Sequence, residues 1–237
     1  MMNINASIGR DGFAVVEGVL SSDVAAEIIA ALDDSGKQTD LHARRNLLRD
    51  VRAVYALAQS SSIRGLVEPL LGPAARPVRG LFFDKTPNAN WKVAWHQDLS
   101  IAVKKRVEQP GFGPWSVKQG IQHVQPPAQI LQNMLTIRLH LDDCLVDNGP
   151  LLVIPGSHEH GVLTPAQIAQ WRSNHKPRMC EVSRGGALLI RPLLLHASSA
   201  ATNPAHRRVI HLEYSADDLP GGLEWEADEP VLTATGL

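Results

Sequence analysis

The sequence has 237 residues and a formal net charge of −1 at pH 7, and no long basic block argues for a nucleic-acid partner. Hydrophobic residues make up 44% and charged residues 20%, which allows a sizeable core and excludes global disorder. No apolar run is long enough to cross a bilayer, and no signal-peptide pattern is present. The two cysteines, Cys144 and Cys180, form no CxxC pair, which indicates reduced thiols in a cytoplasmic protein.

The first third of the chain is predicted to be rich in helices. Residues 11–18 have the pattern of a short strand, and residues 20–34 repeat apolar side chains at helical spacing. Helical character continues over residues 45–72, where Gly72 ends the pattern. We therefore expect helices before the main β structure.

The rest of the chain is interrupted by many proline and glycine residues. It is predicted to form a sheet system of roughly eight short strands. Strands are predicted in residues 78–87, 92–103, 135–143, 148–158, 185–198 and 207–216. Residues 164–174 predict a brief helix that begins with Thr-Pro. No internal repeat or linker is visible, so residues 1–237 are expected to form one domain.

Residues 108–127 are rich in proline, glycine and glutamine and show no clean period. They predict a long loop, and loops of this length in compact domains tend to be lids or binding segments. The side chains of Trp91, Trp95, Trp115 and His123 lie near or within this segment. They are candidates for closing over a small organic substrate, although core packing is the better expectation for Trp95.

A candidate metal site begins with His96 and Asp98, which lie two positions apart. On an extended segment both side chains point the same way and can reach one cation. Such a pair is common by chance, and His196, at the end of an apolar run, is the best third ligand. Two histidines and one carboxylate that leave open coordination positions are typical of non-haem Fe(II) oxygenases.

Arg207 follows His196 eleven residues later, at the start of a predicted strand. Its planar guanidinium matches a carboxylate, so it is a candidate partner for the far carboxylate of a 2-oxo acid bound at the open iron positions. The alternative is a solvated strand end. This alternative is expected for either Arg207 or Arg208, because neighbouring strand residues face opposite ways.

The order of these motifs resembles that of the phytanoyl-CoA dioxygenase family of Fe(II)/2-oxoglutarate oxygenases. Four segments carry the resemblance: DGFAVVEGVLSSDVAAEI, WHQDLS, DNGPLLVIPGSHEHG and ALLIRPLLLHASSAATNPAHRRVIHLEY. They run from near residue 11 to near residue 214. The resemblance implies a mainly β fold with flanking α-helices, namely a double-stranded β-helix (a cupin-like jelly roll) with the early helices outside one sheet.

The resemblance also implies the site residues. His96, Asp98 and His196 would bind Fe(II), and 2-oxoglutarate would chelate the iron while Arg207 pairs with its distant carboxylate. O₂ and a small-molecule substrate would complete the reaction, which releases succinate and CO₂. Because related halogenases replace the aspartate with a small residue, Asp98 predicts hydroxylation or a related oxidation.

Three further residues are similar in position to cosubstrate contacts of the family: Lys85, Ser198 and Arg138. Lys85 is equally compatible with a surface lysine. Arg138 stands where the family often carries a different residue. It is predicted to reach the cosubstrate, the substrate or an internal carboxylate such as Asp142.

Two other functions are compatible with the same residues. A cupin-like hydrolase or isomerase would use the His/Asp/His site around zinc or manganese without 2-oxoglutarate. A non-catalytic binding protein would keep the fold alone. Arg207 favours the oxygenase, because hydrolysis has no need for a carboxylate partner at that position.

Overall fold

The computed structural model describes residues 3–35 and 43–228. Its helices are α1 (Ile4–Asp11), α2 (Ser22–Asp34), α3 (Leu47–Asp50), α4 (Arg52–Ala58), α5 (Ser61–Leu71), α6 (Ala128–Gln132) and α7 (Pro165–Asn174). The first strands are β1 (Phe13–Val16), β2 (Ala43–Arg44), β3 (Arg76–Lys85), β4 (Val93–His96), β5 (Ile101–Val103), β6 (Trp115–Lys118) and β7 (Ile121–Val124). The later strands are β8 (Met134–His140), β9 (Leu151–Val153), β10 (Arg178–Cys180), β11 (Ala187–Ile190), β12 (His196–Ser198) and β13 (Arg207–Ser215). Short 3-10 segments lie at Ser157–His160 and Glu226–Asp228.

The strands form three sheets, and all pairings between them are antiparallel. The major sheet has the order β1-β11-β8-β13-β3-β2, and the minor sheet has the order β10-β9-β12-β4. A third sheet, β5-β7-β6, has three strands. The fold is the predicted double-stranded β-helix with flanking helices, with more strands than the expected eight.

The early helices pack on the outer face of the major sheet, as predicted. Ile137 and Leu139 of β8 and Ile210 and Leu212 of β13 are fully buried in one apolar cluster with side chains of α2, α4 and α5. Burying each such side chain contributes about 1.5–3 kcal/mol. Because strand side chains alternate, the residues between these apolar ones face the interior of the barrel.

Helix boundaries follow recognisable capping chemistry. Ser21 caps α2 by accepting a hydrogen bond from Val24 N at 3.2 Å. Gly72, with φ of 86°, follows α5 as predicted, and Thr164 forms a capping box with Gln167 at the start of α7. Within the described ranges, no helix has both the length and the apolar character that crossing a membrane requires.

Two predictions about strands were wrong. Residues 92–103 form two strands in different sheets, β4 and β5. Residues 108–127 are not one long loop, because they contain the β6–β7 hairpin. Its turn residues, Gln119 and Gly120, have φ of 51° and 80°, the pair of positive values that a tight type I′ turn needs. The sequence concealed this hairpin because β6 is largely exposed and its alternation of apolar and polar residues extends over four residues only.

Candidate metal centre and adjoining cavity

His96, Asp98 and His196 converge at one end of the minor sheet. His96 and His196 are direct partners in the register of β4 and β12, and their ring centroids are 4.3 Å apart. The Nε2 atom of His96 lies 3.7 Å from Asp98 Oδ1, and the Nε2 atom of His196 lies 3.8 Å from Asp98 Oδ2. One ligand atom from each residue lies within 4.8 Å of the others, which is compact enough for one metal ion.

Backbone carbonyls fix the orientation of both imidazole rings. Nδ1 of His96 lies 2.8 Å from Ala94 O, and Nδ1 of His196 lies 2.8 Å from Leu194 O. A carbonyl only accepts hydrogen bonds, so Nδ1 carries the proton in each ring. The lone pair of each Nε2 therefore faces the cluster, as is usual for histidine ligands of a metal.

The protonation states also suit a divalent cation. Burial acts to raise the pKa of Asp98, but neighbouring basic groups, His196 foremost, outweigh it and lower the pKa to about 2. Burial lowers the pKa of His196 to about 4, although the Asp98 charge opposes this shift. Among the described residues, Asp98 Oδ2 is buried with no hydrogen-bond partner. An anionic carboxylate with a free buried oxygen is the ligand that a cation would complete.

Gln97 anchors the segment between His96, which ends β4, and Asp98. Its side chain donates from Nε2 to Gly161 O at 2.8 Å and to Leu193 O at 2.7 Å. Its Oε1 accepts from Leu163 N at 2.8 Å. The backbone N of Asp98 donates to Pro192 O at 2.9 Å, so both sides of this turn are fixed.

Two of the predicted cosubstrate residues, Lys85 and Arg207, are register partners on β3 and β13. Nζ of Lys85 donates to Ser198 Oγ at 3.2 Å and to Ser199 O at 3.0 Å. Arg207 donates from Nη1 to Gly149 O, and its Nε is buried with no partner in the described part of the chain. Lys85, Ser198 and Arg207 are thus gathered inside the barrel, and Lys85 is not a surface lysine.

Arg138 lies on the interior face of β8, but it does not pair with Asp142. Its Nη1 donates to Nδ1 of His211 at 2.9 Å. Asp142 instead accepts two hydrogen bonds from the Arg208 guanidinium, at 2.8 and 2.6 Å. The predicted strand over residues 135–143 ends earlier, at His140, so Asp142 lies beyond β8 and can turn toward Arg208.

Lys85, Arg138 and Arg207 form a buried cation cluster. Within residues 3–35 and 43–228, none of the three has a carboxylate at ion-pair distance. Burial, with a contribution from Arg207, lowers the pKa of Lys85 to about 8 and that of Arg138 to about 10. Uncompensated buried charges are costly, so this arrangement suits an anionic ligand that would neutralise them.

A cavity of about 260 Å³ is lined by His96, Asp98 and His196 and by two members of the cation cluster, Arg138 and Arg207. Five charged or titratable side chains of the cavity wall were not predicted from the sequence: Arg45, Arg79, Lys118, His211 and Glu213. A signal for two of them existed, because His211 and Glu213 follow Arg207 at alternate positions of β13. Arg45 and Lys118 have no such local signal, since they come from distant segments.

Of the four aromatic side chains expected near the substrate, only Trp91 lines this cavity. Trp95 packs against an apolar cluster, in agreement with the expectation of core packing, and Trp115 packs against another. His123 is fully buried, and its Nδ1 lies 3.0 Å from Ile121 O. The hairpin is therefore held by packing, and the apolar part of the cavity wall comes from elsewhere.

Comparison with known proteins agrees with this architecture. The sequence profile of the phytanoyl-CoA dioxygenase (PhyH) family matches residues 8–209. An ectoine dioxygenase of Bordetella parapertussis is 25% identical over 167 residues, which cover 64% of this chain and 47% of that protein. The chain thus spans about half the length of the curated relatives it matches.

Solved structures share the fold at lower sequence identity. EctD from S. alaskensis, solved with 2-oxoglutarate and 5-hydroxyectoine, is 19% identical with a TM-score of 0.68, over 89% of this chain and 74% of that one. HygX from Streptomyces hygroscopicus, solved with nickel and 2-oxoglutarate bound, is 16% identical with a TM-score of 0.66, over 91% of this chain and 87% of that one.

Proposed function

Because the chain belongs to the phytanoyl-CoA dioxygenase family, we propose that it is an Fe(II)- and 2-oxoglutarate-dependent dioxygenase. It oxidises an unactivated C–H bond of a small-molecule metabolite, with hydroxylation as the expected outcome, and it releases succinate and CO₂. The observation that carries the proposal is the buried cation cluster beside the His/Asp/His group. The His/Asp/His group suits a ferrous ion, and the buried cation cluster suits a dicarboxylate that chelates this ion.

His96, Asp98 and His196 would hold the iron, with two Nε2 atoms and a carboxylate oxygen as the available donors. When bound, the ferrous ion supplies the activation of O₂ that no side chain can provide. The carbonyls of Ala94 and Leu194 keep both imidazoles in the tautomer that can coordinate. Asp98 would be one of the iron ligands, and the presence of this carboxylate supports hydroxylation over halogenation.

Arg207 and Lys85 bind the distant carboxylate of 2-oxoglutarate, and Ser198 positions the Lys85 ammonium. Arg207 has an unused Nε, and Lys85 faces it across two paired strands. Arg138 lies on the adjacent strand and adds positive charge to the same interior. Bound cosubstrate would relieve the mutual repulsion of these cations, so its binding should be strongly favourable.

The cation cluster separates this proposal from the hydrolase or isomerase alternative. A zinc or manganese hydrolase needs an open metal position and a water molecule, but it has no need for three buried cations nearby. In such a hydrolase the cluster would destabilise the fold, and no ligand would neutralise its charge. In the dioxygenase the cluster has a specific dianionic ligand.

The test is an anaerobic titration of the Fe(II)-loaded protein with 2-oxoglutarate, followed by exposure to O₂ with product analysis. We expect saturable binding and slow conversion of 2-oxoglutarate to succinate even without substrate. Zinc-loaded protein is the control and should bind 2-oxoglutarate without forming succinate. Absence of 2-oxoglutarate binding in the iron-loaded protein would refute the proposal.

A further inference from the structure

A second group of positive side chains, distinct from the buried cation cluster, lines the other part of the cavity. It consists of Arg45, Arg79 and Lys118. Arg45 follows β2, Arg79 lies on β3, and Lys118 ends β6 at the hairpin turn. Three segments that are far apart in sequence therefore bring guanidinium or ammonium groups to one wall. We call this group the outer cation group.

Within the described residues, Arg79 is the one member of the outer cation group that has a carboxylate partner. Arg79 forms an ion pair with Glu213, with 3.0 Å between Nη1 and Oε1, and it also donates to Ser100 O at 3.2 Å. Neither Arg45 nor Lys118 has a carboxylate within ion-pair distance in that part of the chain. Two positive charges of the cavity wall are thus available to an anionic ligand.

These charges are close enough to influence one another. Burial, followed by the charge of Arg79, lowers the pKa of Arg45. Burial, followed by the charges of Arg45 and Arg79, lowers the pKa of Lys118. The hairpin turn also touches the segment before Arg45, because Gln119 Nε2 donates to Ala43 O at 3.5 Å. Like charges held together in this way favour an anion between them.

The cosubstrate does not account for this second group. In the proposed function a dicarboxylate is matched to Arg207 and Lys85, with Arg138 beside them. Leu81 and Phe83 follow Arg79 on the same face of β3, and Trp91 also lines the cavity, so an apolar surface that suits an uncharged body adjoins the outer cation group. The space beside this apolar surface and the outer cation group is the part of the cavity left for the substrate.

We infer that the substrate carries an oxyanion group, a carboxylate or a phosphate, which Arg45 and Lys118 bind, with its apolar body against Trp91. This inference rests on the proposed function and names the substrate class of that site. Arg45 can offer two parallel N–H donors, and Lys118 adds a point charge from the hairpin turn. The anion thereby fixes which C–H bond of the substrate faces the metal.

The test uses protein loaded with Fe(II) and 2-oxoglutarate under nitrogen, and three probes of similar shape: phenylacetate, phenyl phosphate and the neutral phenylacetamide. Binding is measured by calorimetric titration at two salt concentrations. We expect at least one of the anions to bind, at least about tenfold more tightly than the amide and more weakly at high salt. The preferred anion identifies carboxylate or phosphate as the natural group.

Variants R45Q and K118Q should each weaken binding of that anion about tenfold, whereas R52Q and K176Q remove exposed charges outside the cavity and should not. The inference would be overturned if the amide bound as tightly as both anions. It would also be overturned if R52Q and K176Q weakened anion binding as much as R45Q and K118Q do.

Affinity for 2-oxoglutarate is measured in the same variants. Weaker 2-oxoglutarate binding in R45Q or K118Q would assign Arg45 and Lys118 to the cosubstrate and would overturn the inference as well. Wild-type protein that fails to bind 2-oxoglutarate refutes the proposed function instead, so the two failures are distinguishable.

Discussion

His96 lies directly opposite His196 across the antiparallel pair β4–β12, and each ring presents the same nitrogen to the space between them. The sheet register therefore sets the distance between two of the three candidate metal ligands. Asp98 completes the set from just beyond β4, where Gln97 and the carbonyl of Pro192 fix the backbone. The minor sheet and the fixed turn that follows β4 therefore set the geometry of the candidate metal centre.

The first prediction concerns the metal. Replacing His96 or Asp98 with alanine should lower iron affinity about 100-fold or more while leaving a folded protein, because each residue provides one ligand of three. Iron content after dialysis, measured by atomic absorption, tests this. The matched control is His206→Ala, which removes an exposed imidazole outside the cavity. Full iron content in both ligand variants would contradict the assignment.

The second prediction compares two neighbouring arginines on β13. Arg207→Gln should weaken 2-oxoglutarate binding about 10- to 100-fold with little change in iron affinity, since a charge-assisted pair inside the barrel is lost. Arg208→Gln is the matched control, because Arg208 pairs with Asp142 on the other face of the strand. Anaerobic titration of the iron-loaded variants gives both affinities. Unchanged cosubstrate affinity in Arg207→Gln would remove the proposed role.

The third prediction concerns the chain of polar contacts that supports Arg138. The Arg138 guanidinium can only donate hydrogen bonds, so Nδ1 of His211 accepts the bond from Arg138. Nε2 of His211 therefore carries the proton and donates to Glu213 Oε1 at 3.2 Å. His211→Phe would leave buried polar groups unpaired on both sides and should lower the free energy of unfolding by about 2 kcal/mol.

Urea denaturation measures this loss. His206→Phe serves as its control, since His206 is exposed and its ion pair with Asp84 should contribute about 0.5 kcal/mol or less. A loss in His211→Phe no larger than in the control would show that this chain of contacts does not stabilise the fold.

The fourth prediction concerns pH. Burial, with Arg207, lowers the pKa of Lys85 from 10.5 to about 8. Between these values the unfolded chain holds a proton on Lys85 that the folded protein releases, so this residue makes the free energy of unfolding rise with pH. The rise is at most about 1.4 kcal/mol per pH unit. Below pH 8 Lys85 is protonated in both the folded and the unfolded state, so it adds no pH dependence there.

Denaturant unfolding of ligand-free protein at a series of pH values tests this effect. Lys85→Met should lack the rise between pH 8 and 10.5, whereas Lys176→Met, which changes an exposed lysine, should keep it. Parallel curves for wild type and Lys85→Met across this range would contradict the prediction.

Several helices and the three candidate metal ligands could be predicted from the sequence, and the fold class followed from the resemblance to a known family, whereas α1 and α6 were not predicted. Periodicity and capping residues are local, so the helix at Ser22–Asp34, the stop at Gly72 and the Thr-Pro start of α7 were readable. The alternation of neighbouring strand residues likewise predicted that Arg207 and Arg208 face opposite ways. His96 and Asp98 could be selected because alternate residues of an extended segment point the same way, and His196 by its donor type and by the resemblance to the family.

Tertiary structure alone decided which charges share the cavity. Arg45, Arg79 and Lys118 lie on separate segments, and only the packing of β2, β3 and the β6–β7 hairpin brings them to one wall. The partner of Arg138 was likewise undetermined, because β8 ends before Asp142 and register places His211 opposite Arg138. Electrostatic environment depends on distances through space, and those distances are set by long-range strand pairing and not by local sequence.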